Sequence, residues 1–295
     1  MADIFDRLKY GYTTGSVMMK LIFINIAVFL CIKVIGVFFT LFIVRGIDVA
    51  GFFALPSDPQ ELLRHAWTFI SYMFVHQDFW HILFNMLWLY CFGSLFMQFF
   101  NGRTLGSLYV LGGLAGAALY LLAFNTIPHY VLMGSRQMIG ASAAVMAIVM
   151  GVSFYRPDMR LNLLLLGSVK IIYIALVAFF IDFLSLDDEA NPGGHIAHIG
   201  GAIAGCVFAL QYKKGRDITA WISRMIDFFA DLSKPRRRPT KMNISYRRTE
   251  NDRAYNDRKR REMNDIDAIL DKLKQSGYGS LTDAEKKRLF DASKK

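Results

Sequence analysis

Ala197-His198-Ile199-Gly200-Gly201-Ala202-Ile203-Ala204-Gly205 sets one imidazole in a run of apolar and very small residues. Upstream, Gly140-Ala141-Ser142-Ala143 places a hydroxyl in an equally apolar setting. Polar side chains are costly in lipid, so a serine and a histidine there are functional candidates. The rest of the chain decides whether lipid is the setting. Of its 295 residues 54% are hydrophobic, and the mean hydropathy is +0.31. That is too apolar for an ordinary soluble domain. Apolar runs near or above ~18 residues mark transmembrane helices. They fall at about 18–42, 80–100, 105–124, 139–155, 169–186 and 196–212. The expected fold class is an all-α membrane protein with six transmembrane helices. The first run is too long and too poorly flanked for a cleaved signal peptide and is expected to be retained.

Charge divides the chain. Residues 1–212 hold 11 Lys/Arg and 11 Asp/Glu, whereas residues 213–295 hold 23 and 13, which accounts for the whole net charge of +10. The expected domains are a cytoplasmic N-terminal segment (1–17), a six-helix bundle (18–212) and a cytoplasmic basic tail (213–295). Basic residues near helix ends stay on the inner side. With both termini inside, Arg7, Lys9, Lys20, Arg103, Arg156, Arg160, Lys170 and the tail are inside, and only Arg45, Arg64 and Arg136 are outside. The expected location is an integral, multi-pass protein of a bacterial inner (plasma) membrane. Lys33, well inside the first run, must snorkel, pair or end that helix early. Leu161 to Leu166 extend the fifth helix or form a short interfacial segment. Cys31, Cys91 and Cys206 each fall inside an apolar run and read as small buried hydrophobes, with no disulfide framework or metal site.

This topology brings the polar residues to one depth. The second, fourth and sixth helices all start at the outer face, so His81, Asn85, Ser142 and His198 lie in early turns just below it. Ala143, Ala147 and Gly151 repeat every four residues on the fourth helix, and Ala197, Gly201, Gly205 and Ala209 do so on the sixth. Small-residue stripes let helices approach closely in lipid. If these two face each other, Ser142 and His198 lie beside the seam within reach of a hydrogen bond of ~2.6–3.2 Å. Each feature alone has a plainer explanation: Ser142 as a packing residue, His198 as a satisfied core histidine, His81 and Asn85 as an i, i+4 pair. His76, His81 and His198 fit no metal-ligand spacing. The coincidence in depth and packing favours a site.

Together, His81-Ile82-Leu83-Phe84-Asn85, Gly140-Ala141-Ser142 and the Ala197–Gly205 string resemble the three signatures of the rhomboid intramembrane serine proteases, over roughly residues 18–212. The resemblance implies a rhomboid-like bundle with a water-filled cavity on the outer side. It implies Ser142 as nucleophile, His198 as base and then acid, and His81, Asn85 and the Ser142 N–H as oxyanion donors. Gly140, Ala143, Ala147, Gly201 and Gly205 would pack near the site. No third carboxylate takes part, so the catalytic group is a Ser-His dyad, without metal or cofactor. The chain departs from the family at Ala143, where glycine is usual, at Met146, where some members stack an aromatic ring on the histidine, and at Trp67-Thr68, where Trp-Arg is common. The aromatic loop of about 43–80 would brace the bundle, and the fifth helix with the Asp187–Gly194 loop would be a movable gate, Gly193 and Gly194 allowing access.

In the tail, Ile218, Trp221, Ile222, Met225, Ile226, Phe229 and Leu232 share a helical face suited to the inner leaflet. Pro235-Arg236-Arg237-Arg238-Pro239 reads as a linker with affinity for anionic lipid. Two short helices are expected at 256–274 and 281–292, the second capped by Thr282-Asp283-Ala284-Glu285. No nucleic-acid motif accompanies the charge. The expected activity is endoproteolysis of single-pass transmembrane proteins near the outer face. The alternative is a weak or inactive relative that binds or escorts membrane proteins.

Overall fold

The computed structural model describes residues 15–43, 46–163, 167–187, 191–232 and 252–293. The chain divides into two units, 1–234 and 235–295. In the first, helices form where the apolar runs lie. They are α1 (Val17–Leu41), the short α2 (Pro59–Arg64) and α3 (Thr68–Ser71), α4 (Phe79–Phe96), α5 (Gly102–Thr126) and the short α6 (Pro128–Leu132). Then come α7 (Ser142–Tyr155), α8 (Ile171–Leu184), α9 (Pro192–Lys213) and α10 (Ala220–Leu232). Polar residues start the long helices. Ser16, Asp78, Asn101 and Asn191 each accept a hydrogen bond from a first-turn N–H of α1, α4, α5 and α9. Each satisfies a donor that the helix itself leaves unpaired.

α7 is the centre of the bundle, with eleven of its fourteen residues buried. The small-residue stripes do face each other. A methyl added at Gly201 would land on the carbonyl oxygen of Ala143, and one at Gly205 on that of Ala147. α5 joins the seam with a third set of glycines: a methyl at Gly116 would lie 2.7 Å from Ala143 Cβ and 2.9 Å from the Ala197 oxygen. Three backbones thus meet at van der Waals distance, the contact that holds helices together in lipid.

Among the described residues four helices, α1, α4, α5 and α9, are long and apolar enough to cross a membrane, while α7 and α8 have fourteen residues each. The expected fourth and fifth segments are therefore shorter than their apolar runs. Extended chain replaces the missing turns. Strands β1 (Leu55–Pro56) and β2 (Gln137–Met138) pair antiparallel ahead of α7. Strands β3 (Arg160–Leu163) and β4 (Gly167–Lys170) pair ahead of α8. Of the stretch Leu161 to Leu166, residues 161–163 lie in β3 and do not extend the fifth helix, and residues 164–166 lie outside the described residues. Leu161 and Leu163 alternate with the more exposed Arg160 and Asn162, a period of two that a helix cannot use.

Two further expectations change. Cys31 and Cys91 are exposed on the outer faces of α1 and α4 and Cys206 is half-exposed, so they are not buried hydrophobes. An apolar run in lipid need not turn its small apolar residues inward. Lys33 pairs: its Nζ donates to the Gln77 carbonyl at 2.7 Å, and α1 runs on past it. The aromatic loop splits into two roles. Tyr72 is buried and donates to the Gly113 carbonyl of α5 at 2.7 Å, while Phe52, His65 and Trp67 form an outward cluster.

Beyond α9, α10 docks on α5 through buried Ile222, a Ser107–Ser223 hydroxyl contact of 2.7 Å and an Arg103–Asp227 ion pair at 3.6 Å. Trp221, Met225, Ile226 and Phe229 of the expected face stay exposed. The expected 235–239 linker lies outside the described residues. The second unit contains α11 (Asp252–Ser276) and α12 (Asp283–Ser293). Ahead of α12 the capping box forms as expected, with Thr282 N–H donating to Glu285 at 2.7 Å and Glu285 N–H to Thr282 Oγ1 at 3.4 Å.

Candidate active site

Gly140 organises the start of α7. Its φ of +130° is open to glycine and strained for any side chain. Its N–H donates to the Tyr72 carbonyl at 2.9 Å, which turns the chain sharply so that the helix begins at Ser142. Gly140 therefore has a backbone role ahead of the helix rather than the helix-packing role expected. A methyl placed on it would sit 2.9 Å from His81 Nε2 and 3.4 Å from Ser142 Oγ. The imidazole and the hydroxyl thus border one small space.

His81 and Asn85 enter from the first two turns of α4. The N-cap Asp78 accepts from His81 N–H at 2.9 Å, and this bond holds the Asp78 carboxyl below its usual range. The Gln77 N–H donates to His81 Nδ1 at 3.4 Å. A ring nitrogen that accepts leaves the proton on the other, so Nε2 is the donor toward Gly140 and Ser142. Asn85 is buried and gives one amide hydrogen to the His81 carbonyl at 2.8 Å, an i, i+4 tie that fixes its side chain and leaves its second N–H. The plainer explanation, an i, i+4 pair, is therefore present in these residues, and it leaves the His81 Nε2–H and the second Asn85 N–H for another acceptor.

His198 lies one turn deeper in α9 than expected, because Asn191 and Pro192 start that helix earlier than the apolar run alone. Ser142, His198, His81 and Asn85 line one cavity of about 530 Å³. Trp80, Phe84 and Trp88 of α4 and Ala178 and Ile181 of α8 supply its apolar walls. Among the described residues no hydrogen bond within 3.5 Å joins Ser142 Oγ to His198, a spacing common before substrate closes a catalytic pair. Met146 also lines the cavity, in the place expected. Gly193 and Gly194, expected to allow access beside His198, are closely packed. Both are buried in the first turn of α9, Gly193 against the Tyr120 ring and Gly194 against Asn191.

Two groups escape the sequence reading. Asp182 of α8 is buried, and its Oδ1 accepts from His198 Nδ1 at 2.7 Å and from His195 Nδ1 at 2.9 Å. A carboxylate thus stands against the ring of the histidine expected to act in a dyad. A lone acid in the apolar run 171–184 is the available signal, since such a residue in lipid needs a partner. The three ligand atoms of Asp182, His195 and His198 also lie within 4.8 Å of one another, close enough for one cation. His76, fully buried, sets its ring edge to face with His81 at 5.1 Å. Burial, and next the neighbouring His81, lower its pKa to about 3, so it is neutral at ordinary pH.

A helical bundle with long apolar helices, whose cavity is lined by a serine, two imidazoles and an asparagine amide, defines an integral membrane protein with an internal polar site. Residues 63–214 match the family model of the Rhomboid domain, about half of the chain. The chain belongs to the rhomboid family. It is 31% identical to RHOMBOID-like protein 12, mitochondrial, of Arabidopsis thaliana over 50% of this chain and 47% of that one. It is 26% identical to Rhomboid protein 1, mitochondrial, of Saccharomyces cerevisiae over 50% and 42%. Rhomboid protease GlpG of Haemophilus influenzae is 31% identical over 53% of this chain and 75% of its own. The match thus spans under half the length of the two mitochondrial relatives. Those relatives lend no support to the expected bacterial inner membrane. Residues 250–295 match a family of unknown function, DUF6576.

Proposed function

We propose that this chain is an intramembrane serine endopeptidase, acting on single-pass transmembrane proteins with Ser142 as nucleophile and His198 as base. The observation that carries the reading is one cavity lined by Ser142, His198, His81 and Asn85 from three helices. Ser142 Oγ attacks the peptide carbonyl while His198 Nε2 takes its proton and then delivers it to the leaving amine. Water, activated by the same imidazole, cleaves the resulting acyl-enzyme. The negative oxygen of each tetrahedral intermediate would sit in the space beside Gly140. His81 Nε2–H, the second Asn85 N–H and the Ser142 backbone N–H would be its donors, each such donor worth ~2.7–4 kcal/mol. The aromatic and aliphatic walls from α4 and α8 suit an apolar helix arriving from lipid between them.

In this reading six helices, α1, α4, α5, α7, α8 and α9, cross the membrane, with both termini and the basic tail on the inner side. A fourteen-residue α7 reaches about 21 Å, short of the ~30 Å hydrocarbon core. Its start at the cavity floor, inside the protein, means it need not reach the outer surface itself. The exposed face of α10, with Trp221, Met225, Ile226 and Phe229, fits inner-leaflet lipid.

The test is labelling of the purified protein with a fluorophosphonate, beside Ser142→Ala and His198→Ala. Loss of label in both variants is expected. Label retained in Ser142→Ala would assign the wrong nucleophile, and an unlabelled, folded wild type would favour a relative that binds membrane proteins without cutting them.

A further inference from the structure

Asp182 is the only charged side chain of α8, and one of only three buried residues in that helix. A carboxylate in an apolar membrane helix is costly unless it is paired. Its partner here is the imidazole assigned as base: Asp182 Oδ1 lies 2.7 Å from His198 Nδ1. The nitrogen on the far side of the ring is Nε2, the one required to take the serine proton. We propose that Asp182 is a positioning residue for His198, so that the dyad works as a Ser-His-Asp group whose third member comes from the fifth membrane-crossing helix. This deepens the protease reading and rests on it.

The carboxylate acts on the imidazole in three ways. Accepting from Nδ1–H, it fixes the tautomer with the lone pair on Nε2, which is what a base facing Ser142 needs. It also favours the imidazolium that forms as Ser142 loses its proton, because the opposite charge is already in place and hydrogen-bonded. Finally, it locks the ring orientation, a job for which Met146 offers only a flexible thioether in place of a stacked aromatic ring. Asp182 itself is held by a second donor, His195 Nδ1 at 2.9 Å, on the same face of α9 three residues before His198. The other polar or titratable groups at the cavity are Asp78 and His81 from the α4 end, Ser142 of α7 and Asn191 from the α9 cap. Of these carboxylates only Asp182 is hydrogen-bonded to a histidine ring. Substrate entry is coupled to the same contact. If α8 swings away to admit a substrate, the carboxylate leaves with it, so His198 is fully oriented only when the helix has closed again.

The experiment uses the full chain in detergent micelles with a transmembrane reporter substrate, comparing wild type, Asp182→Asn and Asp182→Glu. Asp182→Asn keeps the shape but presents an amide that no longer favours the imidazolium. Its kcat is expected to fall by ~10²–10⁴-fold with little change in KM, the upper figure being the cost of the same exchange in a chymotrypsin-type Ser-His-Asp triad. The acid limb of kcat/KM should move to lower pH, because an imidazole without its carboxylate protonates less readily. A merely structural role would lower the whole profile without moving the limb. Asp182→Glu should restore part of the rate. Should Asp182→Asn fail to fold, the wild type decides alone: its His198 Nδ1–H proton should resonate far downfield by NMR. A normal shift there, or wild-type rate and pH profile in Asp182→Asn, overturns the proposal. So does loss of wild-type activity on chelation with EDTA, which would make the three side chains a cation site. Fluorophosphonate labelling in the same samples separates the failures. A labelled wild type with an indifferent Asp182 defeats only the positioning role, whereas an unlabelled wild type defeats the protease reading and this inference with it.

Discussion

Gly201→Ala tests the seam on which the site depends. The added methyl would fall on the Ala143 carbonyl oxygen, and α9 or α7 must retreat by about 1 Å before carbon and oxygen reach ordinary contact. Neither neighbour is a flexible side-chain end; both are helix backbone. Overpacking of this kind costs about 1–3 kcal/mol. The wedge also lies next to the chemistry, since Ala143 follows Ser142 and Gly201 stands one turn below His198. A misplacement of about 1 Å costs a catalytic geometry about 10²-fold, or about 2.7 kcal/mol in the barrier. The expected result is a lower melting temperature in detergent together with a hundredfold loss of reporter cleavage. Gly36→Ala is the control, because nothing lies within 4 Å of the position on α1. Gly205→Ala should lose similar stability but less rate, being two turns below His198 and against Ala147 rather than Ala143. The sign discriminates between causes. Helix propensity alone favours Ala over Gly by about 1 kcal/mol, so a Gly201→Ala protein that melts higher and cuts normally would refute the seam as drawn.

Gly140→Ala is expected to abolish cleavage while the bundle stays folded, because its methyl fills the space between His81 and Ser142 and its φ of +130° strains any side chain; unchanged turnover would remove the oxyanion pocket from that place. His76 has a depressed pKa, about 3 when folded against 6.5 in the free residue. Below pH 6.5 the unfolded chain therefore binds a proton that the native state refuses, and stability falls as pH drops from 6.5 toward 3, by at most about 1.4 kcal/mol per pH unit. Melting curves of wild type and His76→Phe at pH 7 and 5 should diverge, with the wild type losing more; parallel losses would count against a buried neutral His76. In the second unit, bonds from Thr282 and Lys272 hold the Glu285 pKa at about 2, below its ordinary 4.5. The cap is fully present above 4.5 and is lost as pH falls through about 2. Hydrogen exchange over 283–293 in the full chain should speed up in Glu285→Ala at pH 7, where no side-chain oxygen is left to accept from Thr282 N–H, and equal protection in both proteins would dismiss the cap.

Much of the fold was legible because lipid makes apolar length and small-residue spacing decisive. The stripes Ala143, Ala147 and Gly201, Gly205 named the α7–α9 seam by spacing alone, and Thr282 to Glu285 named its cap. Expectations failed where one residue type has two uses. Gly193 and Gly194 read as residues that allow access, yet glycine also serves close approach, and here both are packed. Cysteines in apolar runs read as buried, but a membrane helix turns apolar residues outward as well, and only packing partners tell the two faces apart. Asp182 was visible as an acid in an apolar run. What the sequence lacked was its rotational position on α8, so its meeting with His198 required the fold.

On the proposed protease reading, the shortness of α7 would make hydrolysis compatible with a membrane bundle. A serine at the start of a full-length crossing helix would face the headgroups, and one at its middle would be dry. Here α7 begins below the level its apolar run suggests, and irregular chain takes the place of the missing turns. Such chain is tolerated at membrane depth only if its backbone groups are satisfied within the protein or line a cavity. Leu55 and Pro56 pair with Met138 and Gln137. Ser57 N–H donates to the Arg136 carbonyl at 2.9 Å, and Arg136 N–H returns a bond to Ser57 Oγ at 3.0 Å. Tyr120 donates to the same Arg136 carbonyl at 2.9 Å, and Gly140 N–H to Tyr72 at 2.9 Å. The loop between α1 and α4 thus supplies the partners that the chain before α7 would otherwise seek from water. Its brace supports a helix start at Ser142 on the cavity wall, and on the proposed protease reading the unpaired first-turn N–H groups there would serve acyl transfer to water.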